Sequence, residues 1–239
     1  MSAPPQDHAR LAALADQADT ELAGSDPLTV LRWAAEEFGE RLCVAVSMVD
    51  AALPHLASLA RPGVDVLFLD TGYHFAETIR TRDAIAATLP VNVRSIAPRQ
   101  SVAEQDAEFG PRLFEREPDR CCAMRKTEPL RGTLAPYHAW VTGLRRDEAV
   151  TRSNIGVVEW DAQWGLVKIN PIAAWSLEDL SSYLTIHNLP VNPLVHDGYP
   201  SIGCAPCTRR VQPGEDIRAG RWAGASKTEC GLHGRGGRS

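Results

Sequence analysis

Short apolar runs alternate with longer amphipathic stretches along much of the chain. The runs "LCVAVS" (42–47) and "VDVLFLD" (64–70) each predict a buried β-strand, because a strand covered on both faces is apolar throughout. "VNVRSI" (91–96) and "AWVTGL" (139–144) predict a third and a fourth strand. The stretches between them carry apolar residues at helical spacing. This alternation predicts an α/β fold with a mostly parallel, twisted sheet and helices on both faces.

Capping residues set the expected ends of the helices. Ser25 or Asp26 can cap a helix that starts near Pro27, and Gly39 stops it. Ser101 and Glu104 have the spacing of a capping box. Further helices are predicted over 8–23, over 49–60 with Pro54 in the first turn, over 74–89 and over 176–188.

The second half of the chain is less regular. "EPDRCCAMRK" (117–126) predicts a short helix that ends before Pro129. "VVEWDAQWGLVKIN" (157–170) predicts a hairpin with Gly165 in its turn. Periodicity stops after Asn188, and the terminal "HGRGGRS" is expected to be mobile. The predicted division is a helical segment 1–40, an α/β domain 41–210 and a flexible tail 211–239.

Polar and small residues follow several of the predicted strands. Ser47 follows the first strand, Asp70, Thr71 and Gly72 follow the second, and 143–146 follow the fourth. Ligands of open α/β folds bind at the carboxyl ends of the strands. We therefore expect these residues to converge at one edge of the sheet.

Composition narrows the class of protein. The chain has 239 residues, is 44% hydrophobic and carries a net charge of −5. It lacks a run of about 18 apolar residues, which a membrane helix needs. Its N-terminal segment lacks the pattern of a secretory signal. These features predict a cytoplasmic protein that does not bind a membrane, in a compartment that keeps thiols reduced.

Positive charge is concentrated where the cysteines are. Residues 112–152 carry nine basic and six acidic side chains. Residues 205–239 carry seven basic and three acidic side chains. A local cationic site on an acidic chain suits a small anionic ligand, whereas a long nucleic acid needs an extended basic face. The alternative is that these are solvated surface charges.

Four cysteines form two close pairs. Cys121 and Cys122 are adjacent, and Cys204 and Cys207 have C-x-x-C spacing in a loop. Four thiolates suit either zinc or an iron–sulfur cluster. Neighbouring helical side chains diverge by roughly 100°, which favours a [4Fe-4S] cluster with separate irons over one tetrahedral ion. Structural zinc is the alternative interpretation. A disulfide between Cys121 and Cys122 is disfavoured by disulfide geometry.

The two remaining cysteines differ in their surroundings. Cys43 lies in an apolar strand and is expected to be a small buried hydrophobe. Cys230 lies in the polar segment "KTECGLHG", with Lys227 and His233 close in sequence. Such surroundings can stabilise a thiolate, the nucleophilic form of cysteine. The alternative is an incidental cysteine near the C-terminus.

Several separated motifs carry a family resemblance. "CCxxRK", "NPLVHDGYPSIGCAPCT" and "ECGLH", extended by "LFLDTGYHFAETIRTRD", "AEQD" and "WVTGLRRDEAVTR", resemble the assimilatory adenylyl-sulfate (APS) reductases of the sulfonucleotide reductase family. The similarity runs from about Cys43 to His233. It implies a fold akin to the ATP pyrophosphatases and reduction of APS to sulfite and AMP.

The resemblance also implies roles for residues and partners. The [4Fe-4S] cluster would be held by Cys121, Cys122, Cys204 and Cys207, and Cys230 would be the nucleophile that forms an S-sulfocysteine. Thioredoxin or a similar dithiol protein would then release sulfite. Relatives that use 3′-phospho-APS (PAPS) usually lack the four cysteines, so their presence points to APS. A homo-oligomer is compatible with the sequence.

An anionic substrate needs cations and backbone contacts around it. Lys126 is the first candidate, because it lies four residues after Cys122 and could bridge cluster and substrate. Arg125 is a second cation of that stretch. The other predicted substrate-binding residues are Ser47, Thr71, Gly72, Gly143, Arg145, Arg146, Arg152, Arg218, Arg221 and His233.

The chain departs from the family pattern in two places. The loop after Ser47 lacks glycines and is one residue short, so Asp50 could cap the next helix instead. Relatives often carry a histidine just before the cysteine pair, where this chain has Pro118, Asp119 and Arg120. An ATP pyrophosphatase that thiolates RNA is a rival function, but it would want an intact glycine-rich loop. A zinc-stabilised binding protein is another rival, but it would have no use for Cys230.

Overall fold

A six-stranded sheet forms the centre of the protein in the computed structural model, which describes residues 5–222 and 231–232. The strand order is β3-β2-β1-β4-β6-β5, and every neighbouring pair is parallel except β5 with β6. The mostly parallel α/β fold is therefore confirmed. The strands are β1 Leu42–Val46, β2 Asp65–Leu69, β3 Asn92–Ile96, β4 Ala139–Thr142, β5 Val158–Asp161 and β6 Leu166–Ile169.

The helices follow the predicted order, and several of the expected caps are present. The Asp26 side chain accepts from the backbone N–H groups of Leu28 and Thr29 at 3.0 Å. Ser101 and Ser176 each open a complete capping box. The α-helices are α1 Pro5–Glu21, α2 Pro27–Phe38, α3 Ala52–Ala60, α4 Ala76–Thr88, α5 Val102–Phe109, α6 Leu113–Arg116, α7 Pro118–Cys122, α8 Glu128–Leu134 and α9 Leu177–Ile186.

The sheet buries a different apolar cluster on each face. Side chains alternate along β1 and β4, so Val44 and Val141 enter one cluster while Cys43 and Trp140 enter the other. The first cluster also takes buried residues from α1, α2 and α3, and the second takes Leu130 and Leu134 from α8. Cys43 is fully buried, as expected for a small apolar side chain.

The prediction that the helix around the cysteine pair ends before Pro129 is wrong. A π-helical turn over Ala123–Thr127 continues α7 directly into α8, and Pro129 lies in the first turn of α8. The first turn tolerates proline because its N–H groups have no partner inside the helix. The widened turn carries Arg125 and Lys126, and π-turns are frequent at functional sites.

The predicted hairpin over 157–170 is present, and Gly165 in its turn has a φ of +69°. The chain after Asn188 is mostly loop, with short 3-10 turns at Pro193–Val195 and Ala205–Cys207. This loop returns to the sheet, because Ala205 N–H donates to the carbonyl of Tyr73 at 2.7 Å. None of the helices in the described ranges combines the length and apolar character of a membrane span.

Candidate functional site

A cleft of about 770 Å3 opens at the carboxyl ends of β1, β2 and β4. This is the edge at which the strand-end residues are expected to converge. Seven of the eleven predicted substrate-binding residues line the cleft, and they come from five separate stretches of the chain. These are Ser47, Lys126, Gly143, Arg145, Arg152, Arg218 and Arg221.

The glycine-free loop after β1 turns sharply at Met48. Met48 has a φ of +59° and is fully buried. A left-handed conformation costs a non-glycine residue roughly 1–2 kcal/mol, and burial of the Met48 side chain offsets it. Asp50 then accepts from the N–H of Ala52 at 2.9 Å, so its carboxylate caps α3. Burial raises the pKa of Asp50.

The two cysteine pairs line one small cavity beside the cleft. Cys121 and Cys122 end α7, whereas Cys204 and Cys207 lie in the loop that returns to Tyr73. Within the described part of the chain, no three His, Cys, Asp or Glu side chains are grouped as they would be around one metal ion. The fold nonetheless brings together two sequence-distant pairs of thiols.

The surroundings of the cavity control the protonation of the thiols. Burial, followed by the neighbouring cysteines, raises the pKa of Cys121 to about 12 and that of Cys207 to about 11. Lys126 and Arg221 act on Cys207 in the opposite direction. Without a metal, the thiols of Cys121 and Cys207 are therefore neutral at physiological pH, and a metal would have to displace their protons.

Arg125 supports the cysteine cavity and does not line the cleft. Its guanidinium is 3% exposed, donates through Nε to the carbonyl of Thr71 and through Nη1 to Gln105 Oε1 at 3.0 Å, and lies over the Tyr73 ring at 5.2 Å. The expectation that Arg125 faces the substrate is corrected accordingly. The π-turn separates it from Lys126, its neighbour in sequence.

Lys126 lies at the junction of the two sites. It lines the cysteine cavity and the cleft, and its charge lowers the pKa of both Cys207 and His74. Burial is the larger cause of the low pKa of His74. His74 Nε2 donates to the carbonyl of Leu69 at 2.8 Å, which is the local role expected of it.

Glu148 organises two arginines of the cleft. It lies 3.5 Å from Arg145 Nη1 and accepts from Arg152 Nη1, while Asp147 accepts from Arg145 Nε at 3.0 Å. Both arginines are almost fully buried, so these carboxylates fix where the guanidinium groups point. Sequence reasoning missed Glu148, although its spacing of three from Arg145 and four to Arg152 was available as a signal.

Arg221 reaches the cleft across Gly203. Its Nη1 donates to the Ile202 carbonyl at 3.2 Å and to Ser201 Oγ at 3.3 Å, and its guanidinium lies 4.5 Å from the ring centre of Trp222. A Cβ atom on Gly203 would lie 2.5 Å from Arg221 Nη2. The absence of a side chain at Gly203 therefore allows this position of the arginine.

Three predicted substrate-binding residues lie outside the cleft lining. Thr71 is fully buried, with Oγ1 3.3 Å from Cys204 Sγ. Gly72 has a φ of +73° and packs against Arg125. Arg146 is exposed and donates through Nε to the Ile155 carbonyl at 3.0 Å. The chain turns away from the cleft directly after Leu69 and again after Arg145.

Two further predicted residues, Cys230 and His233, lie outside the described residues. Gly231 and Leu232, which lie between them, are described, and Leu232 lines the cleft. Leu232 belongs to the motif "ECGLH", but sequence reasoning gave it no role, because an isolated leucine in a polar segment has no periodicity.

Comparison with known proteins places these features in a family. Residues 41–210 match the phosphoadenosine phosphosulfate reductase domain. The chain is 64% identical to the adenosine 5′-phosphosulfate reductase of Streptomyces coelicolor, over 94% of this chain and 95% of that one. It is 56% identical to the enzyme of the same name from Mycolicibacterium smegmatis, over 93% and 94% of the two chains.

Solved structures support the same fold. A phosphoadenylyl-sulfate (PAPS) reductase from Candida auris superposes with a TM-score of 0.71 at 26% identity, covering 87% of this chain and 99% of that one. An FMN adenylyltransferase from Candida glabrata shares the fold alone, with a TM-score of 0.53 at 15% identity over 85% and 74% of the two chains. The chain therefore belongs to the phosphoadenosine phosphosulfate reductase domain family, among the adenosine 5′-phosphosulfate reductases.

Proposed function

We propose that this chain reduces adenosine 5′-phosphosulfate (APS) to sulfite and AMP in assimilatory sulfate reduction, with thioredoxin or a similar dithiol protein as reductant. One observation carries the proposal: Lys126 joins a cationic cleft at the strand ends to a cavity lined by four cysteines. The proposal assigns residues 41–210 to nucleotide and cluster binding and residues 211–239 to a tail that carries Cys230. A cytoplasmic location suits an enzyme that depends on reduced thiols.

The cleft suits a small dianionic substrate. Its cations include Lys126, Arg145, Arg152 and Arg221, which come from separate parts of the chain and face one space. Charged hydrogen bonds from such groups are short and strong, and they stabilise charge that develops on a leaving phosphate. Ser47 and Gly143, directly after β1 and β4, line the same space.

The reaction is a covalent displacement at sulfur. The Cys230 thiolate attacks the sulfate sulfur, and the bond from that sulfur to the bridging oxygen breaks. AMP leaves with the electron pair, and Cys230 carries the sulfonate as S-sulfocysteine. A thiolate of the dithiol protein then attacks the Cys230 sulfur and expels sulfite, and its second thiol resolves the mixed disulfide. The two electrons come from the dithiol.

The cysteine cavity fits a [4Fe-4S] cluster by its donor set. The four thiols are soft ligands, and Lys126 and Arg221 offset the charge that they acquire on deprotonation. Cys121, Cys122, Cys204 and Cys207 would hold the group. When bound, the cluster would change the electrostatic potential next to Lys126. Visible absorption together with iron and sulfide analysis separates this cluster from structural zinc.

The rival substrate is PAPS, the substrate named for the neighbour from Candida auris. The four-cysteine set and the identity to adenosine 5′-phosphosulfate reductases favour APS. Sulfur transfer to RNA is a weaker alternative, because the loop at Ser47 lacks the glycines that ATP chemistry on this fold requires.

The deciding experiment measures sulfite release from APS and from PAPS, each with and without reduced thioredoxin. We expect sulfite from APS only when thioredoxin is present, with AMP formed in equal amount. Preferential turnover of PAPS would reassign the substrate. Turnover of neither compound by enzyme that contains iron and sulfide would refute the proposal.

A further inference from the structure

The turn of the β5–β6 hairpin contacts the chain directly after Cys230. Gln163 Nε2 donates to the Gly231 carbonyl at 2.9 Å, and Trp164 Nε1 donates to the Leu232 carbonyl at 2.9 Å. Two adjacent donors on one turn thus hold two adjacent carbonyls. The hairpin and this segment are 68 residues apart in sequence, so tertiary structure alone creates the contact.

An apolar contact accompanies the two hydrogen bonds. Leu232 packs against the second core cluster, which includes Leu67, Leu130 and Trp140, and it lines the cleft together with those three residues. Gly231 has a φ of +74°, a conformation that glycine adopts at little cost. The glycine therefore lets the chain bend so that both carbonyls meet the turn while the leucine side chain enters the cleft.

The turn itself holds the two donors in place. Asp161 Oδ1 accepts from Gln163 N–H at 3.2 Å, and the Asp161 carbonyl accepts from Gly165 N–H at 2.8 Å. The Trp164 ring meets Trp140 edge-on at 6.2 Å, and Arg131 Cζ lies 5.2 Å from the Trp164 ring centre. The position of the indole N–H is thus fixed by contacts that do not involve residues 231–232.

We propose that Gln163 and Trp164 are positioning residues, which dock Gly231 and Leu232 at the cleft and thereby set where the preceding residue is held. Gly231 is covalently joined to Cys230, and consecutive Cα atoms lie about 3.8 Å apart. A change in the docking of 231–232 should therefore be felt at the adjacent Cys230 thiol, and the kinetic test below measures that effect. The consequence for catalysis rests on the proposed function, whereas the docking itself does not.

The docking can be measured without any activity. The chain has six tryptophans, so a 15N spectrum of the full-length protein has six indole N–H signals, and Trp164→Phe identifies the signal of Trp164. Leu232→Asp places a charge against the apolar cluster and should release the segment. We expect the Trp164 signal to shift and its exchange with water to become about two- to tenfold faster, which corresponds to the loss of one hydrogen bond.

The Trp33 signal is the internal control, because that ring packs against Phe38, at the end of α2. Leu232→Ala should produce a smaller change of the same kind, and both variants should keep the thermal midpoint of the parent. A Trp164 signal that is identical in the parent and in Leu232→Asp would overturn the docking.

Kinetics then test the positioning role. Gln163→Ala and Trp164→Phe should each lower kcat for sulfite release about two- to tenfold, the range set by one hydrogen bond. KM for APS should not change, because neither residue lines the cleft. The matched controls are Gln17→Ala, on the exposed face of α1, and Trp33→Phe. Both should match the parent in kcat.

A raised KM with unchanged kcat, or a fall in activity that follows a fall in thermal midpoint, would overturn the positioning role. The positioning role would also be overturned if Gln163→Ala and Trp164→Phe both had the same kcat as the controls. Failure of the parent enzyme to release sulfite from APS would refute the proposed function instead, and the indole measurement would still report on docking.

Discussion

Replacing Gly203 with alanine is expected to displace the Arg221 guanidinium from the cleft. The new Cβ atom would lie 2.5 Å from Nη2 and 2.6 Å from Cζ. Non-bonded heavy atoms prefer roughly 3.5–4.0 Å, so the guanidinium must move by about 1 Å. Gly203 is not among the glycines with positive φ, so alanine fits the backbone and the effect is confined to this contact.

The displacement should lower both the free energy of unfolding and the activity, and the effect on activity should be the larger. The displacement can break two hydrogen bonds that Arg221 Nη1 donates, to Ser201 Oγ and to the Ile202 carbonyl. At about 0.5–1.5 kcal/mol each, their loss costs about 1–3 kcal/mol at most. A misplacement of about 1 Å in a positioning group can reduce a rate by about 100-fold. We therefore expect kcat/KM for APS to fall roughly 10- to 100-fold.

Steady-state sulfite release over a range of APS concentrations measures this change, with iron content and thermal unfolding measured in parallel. The matched control is Gly132→Ala in α8, where an added Cβ meets no atom within 4 Å. That control should retain parental kinetics. If Gly203→Ala keeps kcat/KM within about twofold of the parent, the inferred role of Arg221 is refuted, since about 1 Å of displacement should exceed that margin.

The remaining predictions address the cysteines, one histidine and one buried hydrogen-bonded tyrosine. Cys204→Ser should lower iron and sulfide content and visible absorption, and unchanged iron content would contradict the cluster assignment. Cys230→Ser should abolish turnover and leave that absorption intact, whereas full activity would exclude Cys230 as nucleophile. Burial lowers the pKa of His74, so the unfolded chain binds the proton more readily than the native protein does. The contribution of His74 to stability is complete above the unfolded pKa of about 6.5 and is lost as the pH falls below it. The free energy of unfolding in urea should therefore vary less between about pH 7.5 and 5.5 for His74→Gln than for the parent. Equal variation would contradict this. Tyr137→Phe removes the hydroxyl that accepts from Arg94 at 2.7 Å and donates to Asp65. This change should lower the free energy of unfolding by about 1–3 kcal/mol in urea denaturation. An unchanged midpoint would refute the stabilising role of the hydroxyl.

Local patterns in the sequence predict most of the regular elements correctly. Apolar runs identify β1, β2 and β4, whereas β3 is an edge strand whose residues are mixed and largely exposed. Capping residues such as Asp26 and Ser101 identify where helices begin. These features succeed because strand burial and helix capping each depend on a few residues that are neighbours in sequence. The predicted stop before Pro129 fails because this proline lies in the first turn of α8, where its missing N–H removes no helical hydrogen bond.

The site is predictable only in part, because sequence patterns report on residues that are neighbours in the chain. Spacing singles out Cys121, Cys122, Cys204 and Cys207, and the strand-end rule singles out Ser47 and Gly143. Spacing does not reveal that Arg125 turns to Gln105 while Lys126 turns to the cleft. The wide π-turn directs two adjacent side chains to different sites, and the burial of each side chain then decides its role.

The sequence by itself determined the fold class, the family and the residue types that carry the chemistry, because these depend on composition, periodicity and motif. Tertiary structure alone decided which distant segments meet. It placed the two cysteine pairs around one cavity and brought Leu232 to Trp164. Such contacts join residues far apart in the chain, where packing and hydrogen-bond geometry decide which groups meet and sequence spacing carries no signal.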